Sequence, residues 1–228
     1  MYGWDPTPSA EHICTVLQDL VEPRSVLDVG CGLGTFLAEF ISLGVNDVVG
    51  VDGPASLAVF QPPGHLFHAA DITMPLDLRR RFDLALCFEV GEHLAENAAA
   101  QLIESLTAHA PVVAFSAAHP GQGGQGHVNE RWPVHWQRRF HQHGYVAMDL
   151  LRGRLCGTPA VADFYRTNAF IFAEAHRAGE LLANADETET PDAYMRCYAG
   201  AIDRDLKHQP WRALVATLAS KALGRNRE

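Results

Sequence analysis

Apolar residues first recur at helical spacing. In SAEHICTVLQDL (9–20), Ile13, Val16, Leu17 and Leu20 share one face, and Ser9 stands where an N-cap is expected. The next run, SVLDVG (25–30), is too short for a helix and breaks into glycines, so it predicts a strand. TFLAEFISLG (35–44) returns to the helical period and stops at Gly44. Strands are predicted at 47–52 (DVVGVD), 66–70 (LFHAA), 83–88 (DLALCF) and 111–116 (PVVAFS), with helical segments at 55–60, 76–81 and 95–109. These strands are continuous apolar runs rather than alternating ones, as expected where both faces are covered. The alternation predicts an α/β fold, a doubly wound and mostly parallel sheet in a three-layer α/β/α sandwich.

The pattern changes after residue 117. AAHPGQGGQGHVNERWP (117–133) carries four glycines and two prolines and is too long for an ordinary connection. A helix is predicted at 133–143, and strands at 144–151 (GYVAMDLL) and 168–174 (NAFIFAE). Residues 1–174 read as one domain that begins with a helix within 1–22. Residues 175–228 read as a helical extension, broken by an acidic Thr/Glu/Pro link at 186–192. That link is either a solvated loop or a hinge to a docking helix, and the extension could join two copies as a homodimer.

Charge narrows the function. Eighteen Lys+Arg against 27 Asp+Glu give a formal net charge of -9, which argues against a broad nucleic-acid surface. No apolar run reaches the ~18–20 residues that span a bilayer, and MYGWDPTPSAEH lacks the order of a signal peptide. Cys14, Cys31, Cys87, Cys156 and Cys197 are odd in number, scattered and free of any C-x-x-C pair. The expectation is a cytoplasmic protein without a disulfide framework.

The chemistry gathers at strand ends. LDVGCGLGTF joins a strand to a helix through Gly30, Gly32 and Gly34, where a ligand can approach the backbone closely. Asp28 precedes the loop, Asp52 ends the second strand 24 residues later, and Asp71 closes the third. Carboxyl ends of neighbouring parallel strands meet at one crevice, so all three acids can face one ligand. A dinucleotide fingerprint would place a third small residue at 35, where this chain has Thr35. The order G-x-G-x-G after an acid instead resembles motif I of the Rossmann-like (class I) S-adenosylmethionine-dependent methyltransferases, over residues 25 to about 174. The resemblance implies Asp28 near the methionine amino group, Asp52 on the ribose, Asp71 at the adenine amino group and Ile72 beside the ring. It also implies a seven-stranded sheet ending in an antiparallel hairpin, with S-adenosylhomocysteine as product. VADFYRTNAFIFA (161–173) further resembles a segment of bacterial methyltransferases from glycan and natural-product pathways.

LCFEVGEHL (86–94) sets Glu89, Glu92 and His93 at i, i+3 and i+4, on one face of a helical turn. Two carboxylates so close in a poorly solvated crevice need a shared proton or a cation. E-x-x-E-H resembles the ubiquinone-pathway O-methyltransferases and the small-RNA 3′-terminal 2′-O-methyltransferases. In the latter group these side chains and a distal histidine hold a divalent metal. The resemblance implies Glu89, Glu92, His93 and His127 as ligands, with His119 the second choice for the distal position. Mg²⁺ suits such a set less than pure oxygen sites, and Mn²⁺ or Zn²⁺ would also fit. Glu89 would also border the cofactor, and His93, His127 and Glu89 would be the catalytic groups. Without metal, His93 or His127 could serve as base, or Glu92 could simply favour a helix N-terminus. Loop 119–132 would be a lid whose Asn129, Glu130, Arg131 and Trp132 meet the acceptor, and Trp136, Tyr2 and Trp4 could line a pocket. The expectation is an O-methyltransferase acting on a hydroxyl of a small polar molecule, a sugar or secondary metabolite. Metal-free O- or N-transfer, a non-catalytic S-adenosylmethionine-binding protein and a nicotinamide dehydrogenase are the alternatives.

Overall fold

The structure, a computed structural model, describes residues 5–184. Its centre is a seven-stranded sheet of β1 (Ser25–Val29), β2 (Asp47–Asp52), β3 (Phe67–Ala69), β4 (Leu84–Phe88), β5 (Val112–Ser116), β6 (Tyr145–Met148) and β7 (Phe170–Glu174). The order is β3-β2-β1-β4-β5-β7-β6. β1 to β5 run parallel, and β7 is antiparallel to both β5 and β6. This is the doubly wound sheet with a closing hairpin that the sequence led us to expect. Strand order reverses between β1 and β4, and a crevice opens beyond their carboxyl ends.

Helices α1 (Thr7–Val21), α2 (Thr35–Ser42), α3 (Glu96–His109), α4 (Pro133–Gln142), α5 (Arg152–Cys156), α6 (Asp163–Asn168) and α7 (Ala175–Asn184) cover the sheet. Alternation along each strand decides which helix lies where. Leu84, Leu86 and Phe88 join Ile13 and Leu17 of α1, Phe40 of α2, Tyr165 of α6 and Leu181 of α7. Ala85 and Cys87 face the other way, toward Leu102 and Leu106 of α3 and Trp136 and Phe140 of α4. Each large side chain so buried contributes about 2 kcal/mol, which is why the central strands carry almost no polar residues.

Several local expectations need correcting. Ser9 is not an N-cap: Pro6 takes that place, and the buried Ser9 Oγ accepts from Ala162 N at 3.0 Å. Segment 55–60 is only a 3₁₀ turn at Pro54–Ala58, and 76–81 forms no helix. There Leu76 N and Leu78 N donate to Ser105 Oγ and His109 Nε2 of α3, which satisfies donors a helix would otherwise have used. The strand expected over 144–151 stops at Met148, because Asp149 turns to pair with the buried Arg152 of α5. α7 buries Ala178 and Leu181 in the same core as α1, and the acidic link at 186–192 lies outside the described residues. Cys14, Cys31 and Cys87 are free and buried, and Cys197 lies outside the described residues. No helix among the described residues is long and apolar enough to cross a membrane.

Candidate active site

β1 runs into the glycine loop, which turns the chain into α2. Gly30, Gly32 and Gly34 all take positive φ. At Gly30 the requirement is double, because φ is +80° and a Cβ would lie 2.4 Å from Val90 Cγ2. Only glycine lets the loop lie against the turn that follows β4. Gly30 N and Cys31 N donate to Val51 O at 2.8 and 3.2 Å, and Gly32 N donates to Asp52 Oδ2 at 2.8 Å. The loop is laced to the end of β2.

Beneath it lies a cavity of about 320 Å³ lined by Asp28, Gly30, Gly32, Glu89, Glu92, His93 and His127, with Phe36, Phe88 and Tyr165 among its apolar walls. Asp28 is buried and its Oδ2 has no hydrogen-bond partner. Burial, and then repulsion from Asp52, pushes its carboxyl up to about 8. Gly34 backs onto Phe60 rather than the cavity. Asp52, Asp71 and Ile72 do not line it either. Asp71 is exposed and accepts from Thr73 Oγ1 and N at 2.6 and 3.0 Å, contacts that hold it below the usual carboxylate range. Ile72 is half-buried against the α3 side of the core.

The end of β4 supplies the acids. Glu89 takes φ +54°, a left-handed backbone that costs a non-glycine residue about 1 kcal/mol. Ser116 holds it there, accepting from Glu89 N through O at 3.1 Å and Oγ at 3.2 Å. Gly91–His93 then forms a single 3₁₀ turn. Glu92 is fully buried, and neither of its oxygens nor Glu89 Oε1 has a well-formed hydrogen bond. Burial pushes both carboxyls up, and repulsion from Glu92 adds to the effect at Glu89. One potential ligand atom each from Glu92, His93 and His127 lie within 4.8 Å of one another. The two imidazoles meet edge to face with centroids 4.9 Å apart. Glu89 stands outside that trio, though it lines the same cavity.

Loop 119–132 is fastened over this cluster. Val128 N and Asn129 N donate to Glu92 O at 2.8 and 2.9 Å, and Arg131 N donates to Ala118 O at 3.1 Å. Asn129 is buried beside the turn, while Trp132 is half-exposed and stacks on His119, 5.6 Å away and nearly parallel. His119, the second choice for the distal ligand, is not in the trio. Trp136 is a core residue against Phe115, and Tyr2 and Trp4 lie outside the described residues.

Gln122, which the sequence did not single out, and Glu130, expected only as an acceptor contact in the lid, complete the site. Gln122 Nε2 donates to Glu89 Oε2 at 2.9 Å, and its Oε1 accepts from the buried Asn168 Nδ2 at 2.6 Å. Glu130 accepts from Gly121 N, Gly123 N and His127 Nδ1 at 2.9, 3.2 and 3.0 Å. Burial alone would raise Glu130, but these donors outweigh it and hold the carboxyl below its usual range. The aromatic wall was also missed: Phe88 touches Phe36 and Tyr165, at 4.9 and 5.6 Å between centroids. Tyr165 belongs to α6, a helix too short to show a period in the sequence.

Comparison with known proteins bears on the family and the fold. The model of the methyltransferase domain family matches residues 9–151. A ubiquinone biosynthesis O-methyltransferase of Nitrobacter winogradskyi is 36% identical over 77 residues, which is 31% of this chain but only 29% of that protein. The sugar N-methyltransferase KedS8 from a Streptoalloteichus species superposes with a TM-score of 0.59 at 19% identity, over 76% of this chain and 89% of that one. CalS10, an amino pentose methyltransferase of Micromonospora echinaspora solved with S-adenosylmethionine bound, gives 0.54 at 17% identity, over 76% and 93%. The chain belongs to the methyltransferase domain family, as an S-adenosylmethionine-dependent enzyme of the Rossmann-like class.

Proposed function

We propose that the enzyme methylates a hydroxyl of a small polar molecule, a sugar or secondary metabolite, and that Glu92, His93 and His127 hold a divalent cation beside it. The observation that carries this is the buried Glu92 carboxylate, which has no well-formed hydrogen bond and two imidazoles close by. A carboxylate withdrawn from water needs a cation or a proton, and one oxygen ligand with two nitrogens suits Mn²⁺ or Zn²⁺ better than Mg²⁺. A cation there would lower the pKa of an acceptor hydroxyl and orient its oxygen.

The chain's own residues do the rest. Asp28 meets the amino group of S-adenosylmethionine, Gly30 and Gly32 admit its backbone-like portion, and Asp52 accepts from the ribose hydroxyls. Asp71 and Ile72, which lie outside the cavity lining, would serve the adenine. Glu89, with one oxygen held by Gln122, keeps the other for the transfer centre. Phe88 and Tyr165 exclude water from the line of attack, where positioning supplies much of the acceleration. Among the described residues lining the cavity are three acids and no Lys or Arg, which favours a neutral acceptor over a phosphorylated one.

A metal-free reading rests on a different observation, the 3.0 Å contact between His127 Nδ1 and Glu130. A carboxylate so placed orients an imidazole for proton abstraction from O or N. Titrating metal-stripped protein, saturated with S-adenosylhomocysteine, with Mn²⁺ under electron paramagnetic resonance separates the two. The proposal expects one bound ion, lost in His127→Ala; no binding to the parent protein favours the metal-free base.

Asp28 offers an independent check on the cofactor side. Asp28→Asn should weaken S-adenosylhomocysteine by roughly 10–100-fold, the value of one charge-assisted hydrogen bond. Because burial and Asp52 push the carboxyl up to about 8, binding an ammonium there should release a proton at pH 7. Calorimetry in buffers of different ionisation enthalpy reads that proton directly, and the variant should lose it.

A further inference from the structure

We propose that Glu130 is a positioning residue that couples the fold of loop 119–132 to the orientation of His127. The inference rests on the reading that His127 acts at the transfer centre, as ligand or as base.

One carboxylate joins the two ends of the loop. Glu130 Oε2 accepts from Gly121 N at 2.9 Å, and Oε1 accepts from Gly123 N at 3.2 Å and from His127 Nδ1 at 3.0 Å. A carboxylate only accepts, so the proton of a neutral His127 resides on Nδ1 and the lone pair on Nε2. In free imidazole side chains the opposite tautomer prevails, so Glu130 makes a selection the isolated residue would not. Gly124 meets the same ring from another side. Its φ is +154°, and a Cβ there would stand 2.2 Å from Nε2, covering the nitrogen that Glu130 leaves unprotonated.

The loop's own fold therefore reports on the imidazole. With Glu130 bonded, residues 121–123 curl onto the carboxylate while Val128 N and Asn129 N hold the following strap to Glu92 O. His127 lies between these two attachments, and its ring faces His93 edge to face. Without Glu130 the strap survives, but the ring loses its tautomer and the 121–123 curl loses its acceptor. Carboxylates that fix a ligating histidine in this way typically change metal affinity by 10–100-fold when removed.

Glu130→Ala and Glu130→Gln test this in the full chain with S-adenosylhomocysteine present. Long-range ¹⁵N correlation spectra of the histidine rings should show His127 as the Nδ1–H tautomer in the parent and mainly Nε2–H in Glu130→Ala. Mn²⁺ affinity should fall about 10–100-fold in the same variant. Glu130→Gln keeps one oxygen for His127 but loses the second, so it should preserve the tautomer while the Gly121 amide exchanges faster. An unchanged tautomer in Glu130→Ala overturns the proposal. So does unchanged Gly121 exchange in Glu130→Gln, which serves if the alanine variant fails to fold. The His127→Ala control keeps the two readings apart: full activity there sinks the role of His127, whereas a tautomer unmoved by Glu130→Ala sinks only the coupling.

Discussion

Glu92→Gln is expected to abolish methyl transfer and at the same time to stabilise the metal-free protein. The two effects come from one fact: a carboxyl group with no well-formed hydrogen bond is buried at the centre of the site. If it anchors the cation beside the acceptor, its loss should cost about 10³-fold in kcat/KM, or roughly 4 kcal/mol of transition-state stabilisation. In the empty protein the same group carries only a cost. Removing an uncompensated buried carboxyl should return about 1–3 kcal/mol at pH 8, and the melting temperature should rise by roughly 3–8 °C. Scanning fluorimetry and a methyl-transfer assay on the two proteins decide it. A variant that is both inactive and less stable would mean that Glu92 is a structural residue.

The metal-free protein should also lose stability as pH rises. Asp28, Glu89 and Glu92 all bind their protons more tightly in the folded chain than in the unfolded one. The folded chain then holds more protons across the window, so the contribution is complete below the unfolded values and is lost as pH rises through the folded ones. For Asp28 that window runs from 3.8 to about 8. Each group contributes a slope of up to about 1.4 kcal/mol per pH unit within its window. Ligands that need the ionised forms must act in the opposite sense. The gain in melting temperature from Mn²⁺ with S-adenosylhomocysteine should widen from pH 6 to pH 8.5. A metal-free protein whose stability is flat or rising between pH 5 and pH 8 would contradict the burial of these acids.

Much of this was legible in the sequence because it rests on local signals. β4 is apolar at every position and β1 is buried at every position, as strands covered on both faces of a parallel sheet must be. The glycines at 30, 32 and 34 and the acids at the strand ends have meaning at short range, so the order of motifs led directly to the family. His127 was reached only through the resemblance, since 34 residues separate it from His93. What the sequence hid was of another kind. Leu76 to Arg81 looked helical, yet its backbone donors are taken by Ser105 and His109, residues with no pattern linking them to that segment. Gln122, Glu130 and Asn168 belong to no motif, and their roles come from side-chain bonds that form only once the loop has folded. Tyr165 joined the cavity wall because α6 turned it inward, and six residues are too few to show which face that would be.

The fastening of loop 119–132 has a consequence for how this scaffold can change its acceptor. Residues 127–131 are bound by their backbone to Glu92 and Ala118, so an insertion there would pull the histidine away from its partners. Gln125 is exposed between the Glu130-bound curl and His127. Additional residues at that one point would extend outward over the mouth of the cavity and leave both attachments in register. Diversity in substrate range, whether natural or selected in a library, is therefore expected to enter this protein as a length change at 125 rather than as substitutions among the residues that hold the cluster.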